Sequence, residues 1–125
     1  MIAAIGVDIV EIARVEQSIE RQGSRFKERV FTAAEIAYCE ARPSKAASYA
    51  ARFAAKEAVM KALGTGWGGG VGWQQVEVIC GEKGAPSLSL SGRALELLNE
   101  LGATRAHLSL SHSEKVAIAQ VILES

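Results

Sequence analysis

Residues 52 to 64, Arg52-Phe53-Ala54-Ala55-Lys56-Glu57-Ala58-Val59-Met60-Lys61-Ala62-Leu63-Gly64, decide how this chain is read. At about 100° per residue, Arg52 and Lys56 fall together, Glu57 and Lys61 fall together further round, and Phe53 and Met60 lie between the pairs. A surface helix would collect its charges on one solvent face, and this one does not. Ala54, Ala55, Ala58, Val59 and Ala62 form the opposite side, where small side chains let another backbone approach closely. The pattern predicts a long central helix over residues 46 to 63 with one charged pair turned toward a ligand.

The rest of the composition bounds the answer. At 125 residues and 49% hydrophobic content the chain fits one domain, 1–125, with a core of its own. Lys plus Arg and Asp plus Glu balance at 14 each, so no global field attracts nucleic acid or a membrane surface, and charged recognition must be local. The opening Met1-Ile2-Ala3-Ala4-Ile5-Gly6 has no basic region before it, and Asp8 and Glu11 break the apolar run. The reading is therefore neither signal peptide nor membrane span, and the expected location is the cytoplasm. Cys39 and Cys80 have neither Cys-x-x-Cys spacing nor neighbouring His, which favours reduced, buried thiols.

Outward from the central helix, residues 2 to 10 predict an apolar strand, and the stripe Ile12, Val15, Ile19 predicts a helix ending near Gly23. Ser24 is placed to cap a short second helix. Thr32-Ala33-Ala34-Glu35 forms a capping box for a third, and Pro43 marks the break before the long one. Beyond Gly64 comes a glycine-rich loop, then strands at 73 to 80 and 86 to 90 joined by Gly81-Glu82-Lys83-Gly84. Ser91 caps a helix ending at Gly102, and runs 105 to 111 and 115 to 123 form a hairpin around Ser113-Glu114. With no repeat and no linker, the class is α+β.

Several residues can carry chemistry. Asp8 shares a strand face with Ile2, Ala4, Gly6 and Val10, with space opened by Gly6, and a carboxylate in apolar company needs a partner. Either it caps the helix beginning near Glu11, or it holds a metal ion with Glu57 as second ligand, leaving room for waters and phosphate oxygens as Mg²⁺ prefers. Glu57 in turn either does that or pairs with Lys61 at i,i+4, a contact worth only about 0.3 kcal/mol. Gly64-Thr65-Gly66-Trp67-Gly68-Gly69 matches Gly-x-Gly-x-x-Gly but follows a helix instead of opening one, which excludes the dinucleotide-binding reading. Its glycines either let backbone amides approach a phosphate beside Lys61 or simply connect helix to strand. His112 lies on the leucine face of its strand, with His107 pointing the other way, and neither has the neighbours of a triad or zinc site. Arg14, Ser18, Arg21 and Gln22, with Arg25 just beyond, make a positive stripe, either solvated or docking an acidic partner protein.

Taken together, Gly6-Val7-Asp8-Ile9-Val10-Glu11-Ile12, Phe31-Thr32-Ala33-Ala34-Glu35-Ile36-Ala37-Tyr38-Cys39, Arg52 through Gly66, and Leu108-Ser109-Leu110-Ser111-His112 resemble the holo-[acyl-carrier-protein] synthase family nearly end to end. The resemblance implies the small 4′-phosphopantetheinyl transferase fold, an antiparallel sheet packed against a long central helix, usually in a homotrimer with active sites at subunit interfaces. It implies a Mg²⁺-dependent transfer of 4′-phosphopantetheine from coenzyme A to a serine of apo acyl carrier protein, in support of fatty acid biosynthesis. Carried over residue by residue, it assigns Asp8 and Glu57 to the metal and Lys61 to catalysis. Lys45, Arg52, Lys61, Gly64, Gly66 and His112 are assigned to the coenzyme, and Arg14, Ser18, Arg21, Gln22 and Arg25 to the carrier. Glu57, directly or through a water on the metal, is the expected base for the serine hydroxyl, with His112 a coenzyme or supporting contact. The chain departs from the family at Gly69, where many members are basic, and at Gly84-Ala85-Pro86, where many have Gly-Lys-Pro. Lys45 is the candidate replacement for the missing charge. Two other readings compete: a trimeric coenzyme A or nucleotide-binding module without transfer, which the intact Asp8 and Glu57 argue against, and a Mg²⁺-dependent phosphohydrolase, which would need no docking stripe.

Overall fold

A computed structural model describes residues 1–66, 69–81 and 83–125. Trp67 and Gly68 of the glycine-rich loop, and Glu82 of the turn after Cys80, lie outside the described residues. Strand β1 (Ile2–Glu11) leads into helices α1 (Ile12–Gln22), α2 (Ser24–Val30), α3 (Ala33–Glu40) and the long α4 (Lys45–Leu63). A 3-10 turn at Trp73–Gln75 opens the pair β2 (Val76–Cys80) and β3 (Pro86–Leu90), and α5 (Gly92–Glu100) precedes β4 (Arg105–His112) and β5 (Val116–Glu124). The sheet runs β1-β5-β4, antiparallel throughout, and β2 with β3 forms a separate two-stranded sheet. The α+β class, the central helix and the β4–β5 hairpin are as the sequence predicts; the strand expected over 73 to 80 begins only at Val76, because residues 73–75 form the 3-10 turn.

α4 lies across β1 and β5, and one residue permits the close approach. A Cβ added to Gly6 would stand 2.1 Å from the carbonyl oxygen of Ala58, so strand and helix meet backbone to backbone. Gly6 was expected to open space beside Asp8; that space is taken by α4 itself. The alanines predicted to face inward do so, with Ala54, Ala55, Ala58 and Val59 fully buried against Val121 and Leu123 of β5. Ile2 departs from the predicted face of β1, because the register shifts between Ile2 and Ala4 and leaves Ile2 exposed.

Lys56 does not face a ligand. Its Nζ stands 2.8 Å from Glu35 Oε1, both side chains fully buried, and it donates to the carbonyls of Trp73 (3.1 Å) and Val76. Glu35 closes the predicted capping box by accepting from Thr32 N at 2.8 Å, while its Oε2 accepts from Val78 N at 2.7 Å. Burial pushes the Lys56 ammonium below its usual range, and the Glu35 charge works against that shift. This network ties α3, α4 and β2 together, and removing one partner would leave an uncompensated buried charge, a loss of about 3–5 kcal/mol.

Two expected caps fall elsewhere. Gly23, at φ 58, occupies the position before α2, so Ser24 is its first residue and makes no cap bond. Ser91 does precede α5, but Gln75 supplies the bond, its Oε1 accepting from Ala94 N at 3.3 Å. On the outer face of the sheet Ile5, Val7 and Ile9 are 53% to 63% exposed beside Ile118. β1 carries most of this surplus apolar surface.

Candidate active site

Asp8 sits inside β1, opposite Ala119, with 7% of its surface exposed. It does not cap α1: Glu11 holds that position, and the helix start is tied down by Ile12 N donating to Lys115 O at 2.8 Å. Lys61, on the last turn of α4, donates from Nζ to Asp8 Oδ1 at 2.7 Å and to Val7 O at 3.2 Å. Asp8 Oδ2 is buried without a hydrogen-bond partner. A buried carboxylate oxygen in that state is costly, which makes it a ready acceptor for a cation or donor brought in with substrate.

Glu57 lines a cleft of about 360 Å³ together with Asp8, Arg14, Ser18, Phe26 and Phe53. β1 and α4 thus bring the two predicted carboxylates to one opening. The hydrogen bond to Asp8, and then the nearby charges of Asp8 and Glu57, raise the Lys61 ammonium above its usual range, so it stays cationic beside the cleft. Lys61 was weighed as the i,i+4 partner of Glu57; its Nζ hydrogen bonds reach across to Asp8 and the Val7 carbonyl of β1. Among the described residues no group of three or more His, Cys, Asp or Glu side chains is arranged to hold a metal, so a cation here would complete its shell with waters and phosphate oxygens. α4 ends just past Lys61 at Gly64, in the left-handed region at φ 79, and Gly66 follows at φ 56.

Arg52, Lys45 and His112 stand elsewhere on the chain. Arg52 lies with Arg42, Tyr38, Ser48, Cys80 and His112 around a second cavity of about 360 Å³. Its guanidinium stacks 4.1 Å over the Tyr38 ring and donates to Ser48 Oγ at 3.2 Å and Cys80 Sγ at 2.9 Å. Cys39 is buried and Cys80 only partly, both as free thiols, which corrects the expectation that both would be buried. His112, exposed at the end of β4, also lines an open shelf with Lys45, whose Nζ pairs with Glu40 Oε1 at 3.3 Å. This second cavity and the Asp8 cleft share no lining residue.

Of the arginine stripe, Arg14 and Ser18 border the Asp8 cleft and Arg21 and Arg25 are exposed. Gln22 accepts from Arg29 Nη2 at 3.2 Å and, with Ser18, lines an apolar groove of about 390 Å³ walled by Phe26, Phe53, Met60 and Trp73. Phe53 stacks on Trp73 with centroids 5.1 Å apart. Sequence reasoning missed this groove, Arg42 and the Arg52–Cys80 contact. Only the position of Phe53 and Met60 between the charged pairs hinted at an aromatic wall.

Residues 4–121 match the 4′-phosphopantetheinyl transferase superfamily. The chain is 51% identical to the holo-[acyl-carrier-protein] synthase of Koribacter versatilis, over 99% of both chains. Among solved structures it is similar to the Neisseria meningitidis holo-[acyl-carrier-protein] synthase, at 35% identity, full coverage of both chains and a TM-score of 0.88. It is likewise similar to the Helicobacter pylori holo-[acyl-carrier-protein] synthase in complex with coenzyme A, at 35% identity over 96% of this chain and 99% of that one, with a TM-score of 0.85.

Proposed function

This chain belongs to the 4′-phosphopantetheinyl transferase superfamily, and from that premise we propose that it moves the 4′-phosphopantetheine arm of coenzyme A onto a serine of an apo acyl carrier protein, in support of fatty acid biosynthesis. Asp8 and Glu57 lining one cleft, with Lys61 bonded to Asp8, carry the reading. Mass spectrometry of apo carrier incubated with the protein, coenzyme A and Mg²⁺ tests it: the carrier gains one phosphopantetheine, and an unchanged carrier mass overturns it.

The residues present suit a magnesium ion, since Asp8 offers an unpartnered buried oxygen and Glu57 a second carboxylate at the same opening. Bound between them, the cation would neutralise the pyrophosphate of coenzyme A. Lys61, held in place by Asp8, supplies a further positive charge for the phosphate oxygens. The serine Oγ attacks the phosphorus that carries the pantetheine arm. The new P–O bond forms as the bridging P–O bond breaks, adenosine 3′,5′-bisphosphate leaves, and the hydroxyl proton passes to the Glu57 carboxylate.

Arg52, His112 and Lys45, with Arg42 added by the structure, are assigned to the phosphates on the adenosine side, and Gly64 and Gly66 to backbone contacts beside Lys61. That the two cavities share no lining residue within one chain supports a site that draws on two copies. The apolar face of Ile5, Val7, Ile9 and Ile118 supports a homotrimer. Light scattering at working concentration is expected to give the trimer mass, and a strict monomer would defeat the assignment. Inactive His112→Ala and Glu57→Ala chains refolded together should regain part of the activity; absence of recovery would place both residues in one chain's site. Free thiols at Cys39 and Cys80 accord with work in the cytoplasm.

The carrier docks along Arg14, Ser18, Arg21, Gln22 and Arg25, beside the cleft that holds Glu57. Arg14→Glu is expected to raise KM for the carrier by about tenfold or more, as reversal of a steering charge does, with KM for coenzyme A nearly unchanged. Added salt should mimic the variant. An equal loss for both substrates would assign Arg14 to the site itself and not to docking.

A further inference from the structure

The Arg52 cavity contains a sulfur that the transfer reaction does not use. Cys80 ends β2 with its side chain partly exposed, and its Sγ accepts from Arg52 Nη2 at 2.9 Å. Arg42 and His112 line the same cavity, and among the described residues no carboxylate does. A second observation points to a missing ligand: Arg52 is 3% exposed, yet its Nε–H has no acceptor. The cavity therefore combines a nucleophile, a cationic wall and an unused donor, a combination suited to a molecule that carries carboxylates. Cys39 provides the contrast. It is fully buried, burial pushes its thiol up, and its sulfur accepts from Ser48 Oγ at 3.3 Å.

We propose that Cys80 is a modification site, exchanging with an anionic low-molecular-weight disulfide of the oxidised-glutathione type, and that the resulting mixed disulfide closes this cavity to the coenzyme. The Cys80 thiolate attacks one sulfur of the disulfide. The old S–S bond breaks as the new one forms, and the departing thiolate takes up the proton that Cys80 released, so the disulfide itself is the only oxidant. A reducing thiol reverses the step. The adduct fills the cavity and draws Arg52 away from the coenzyme phosphates. That last consequence rests on the assignment of the cavity to coenzyme A; formation of the adduct does not.

The test treats the intact protein with oxidised glutathione and maps the product by mass spectrometry. One glutathionyl group is expected on the peptide holding Cys80 and none on Cys39, formed faster than the adduct of cystamine, a cationic disulfide, and slowed by coenzyme A. The modified enzyme should show a KM for coenzyme A raised by about tenfold or more, the size of one lost charge-assisted contact, with KM for the carrier unchanged and dithiothreitol restoring the starting value. In Cys80→Ser, treated and untreated preparations should share one KM. No adduct at Cys80, or equal rates with the two disulfides, overturns the site. An adduct at Cys80 that leaves the coenzyme KM untouched overturns instead the placement of coenzyme A in this cavity.

Discussion

Asp8→Ala is expected to lower kcat for carrier modification by about 10³-fold or more, equivalent to about 4 kcal/mol of lost transition-state stabilisation, and Glu57→Ala to do the same. Each removes one of the two carboxylates that meet at the cleft, and Glu57→Ala also removes the acceptor for the serine proton. Folding should survive both changes. Asp8 carries a buried oxygen with no partner, and an unsatisfied buried acceptor costs about 1–3 kcal/mol. The Lys61 side chain that pairs with its other oxygen is 55% exposed, so that ion pair returns little. The balance favours alanine, and Asp8→Ala should melt no lower than the parent, the pattern of a residue kept for activity at the expense of stability. Circular dichroism melting beside the mass-spectrometric assay measures both. Near-normal transfer by either variant at ordinary Mg²⁺ would remove these carboxylates from the metal and the chemistry.

Gly6→Ala is the second large effect, and it acts through packing. The new Cβ would lie 2.1 Å from Ala58 O, with Ala62 N at 3.0 Å, and both are helix backbone that no rotamer change can move. α4 must therefore shift off β1, at a cost of about 3 kcal/mol or more as overpacking goes, which lowers Tm by about 10 °C in a chain of this size. Alanine is the better strand former, so propensity alone would raise stability; the clash decides the sign. The same shift moves Lys61 relative to Asp8, so transfer should fall alongside stability. A Tm within about 2 °C of the parent would mean that α4 yields without strain.

Much of this was legible from residue spacing. The alanine face of α4 announced a close backbone neighbour, and the capping box at Thr32 and Glu35 appears as read. Asp8, Glu57 and Lys61 meet because strand alternation and helical phase are local rules that survive folding. What was not legible depends on pairs distant in the chain. Arg52 and Lys56 share a helix face, but their roles diverge because Glu35 arrives at Lys56 from α3 while Cys80 and Tyr38 meet Arg52. Nothing local to Glu35 announces that its carboxylate serves a cap, an ion pair and a β2 amide at once. Gln75 as the cap of α5 was hidden for the same reason. Gly6 was read as opening space beside Asp8, and only the fold shows that the α4 backbone at Ala58 fills it.

β1 pairs along its length with β5, Asp8 opposite Ala119. During synthesis the earliest strand to leave the ribosome must therefore wait for the latest. The helices α1 to α4 can form as they emerge, but the sheet beneath α4 cannot close until residues 116–124 are free of the exit tunnel. Throughout that interval β1 offers unpaired amides and carbonyls, together with Ile5, Val7 and Ile9, to any neighbouring nascent chain. Damage to β5 accordingly registers as lost soluble yield, while the molecules that do mature keep full specific activity, a signature that separates late-strand defects from injury to the cleft.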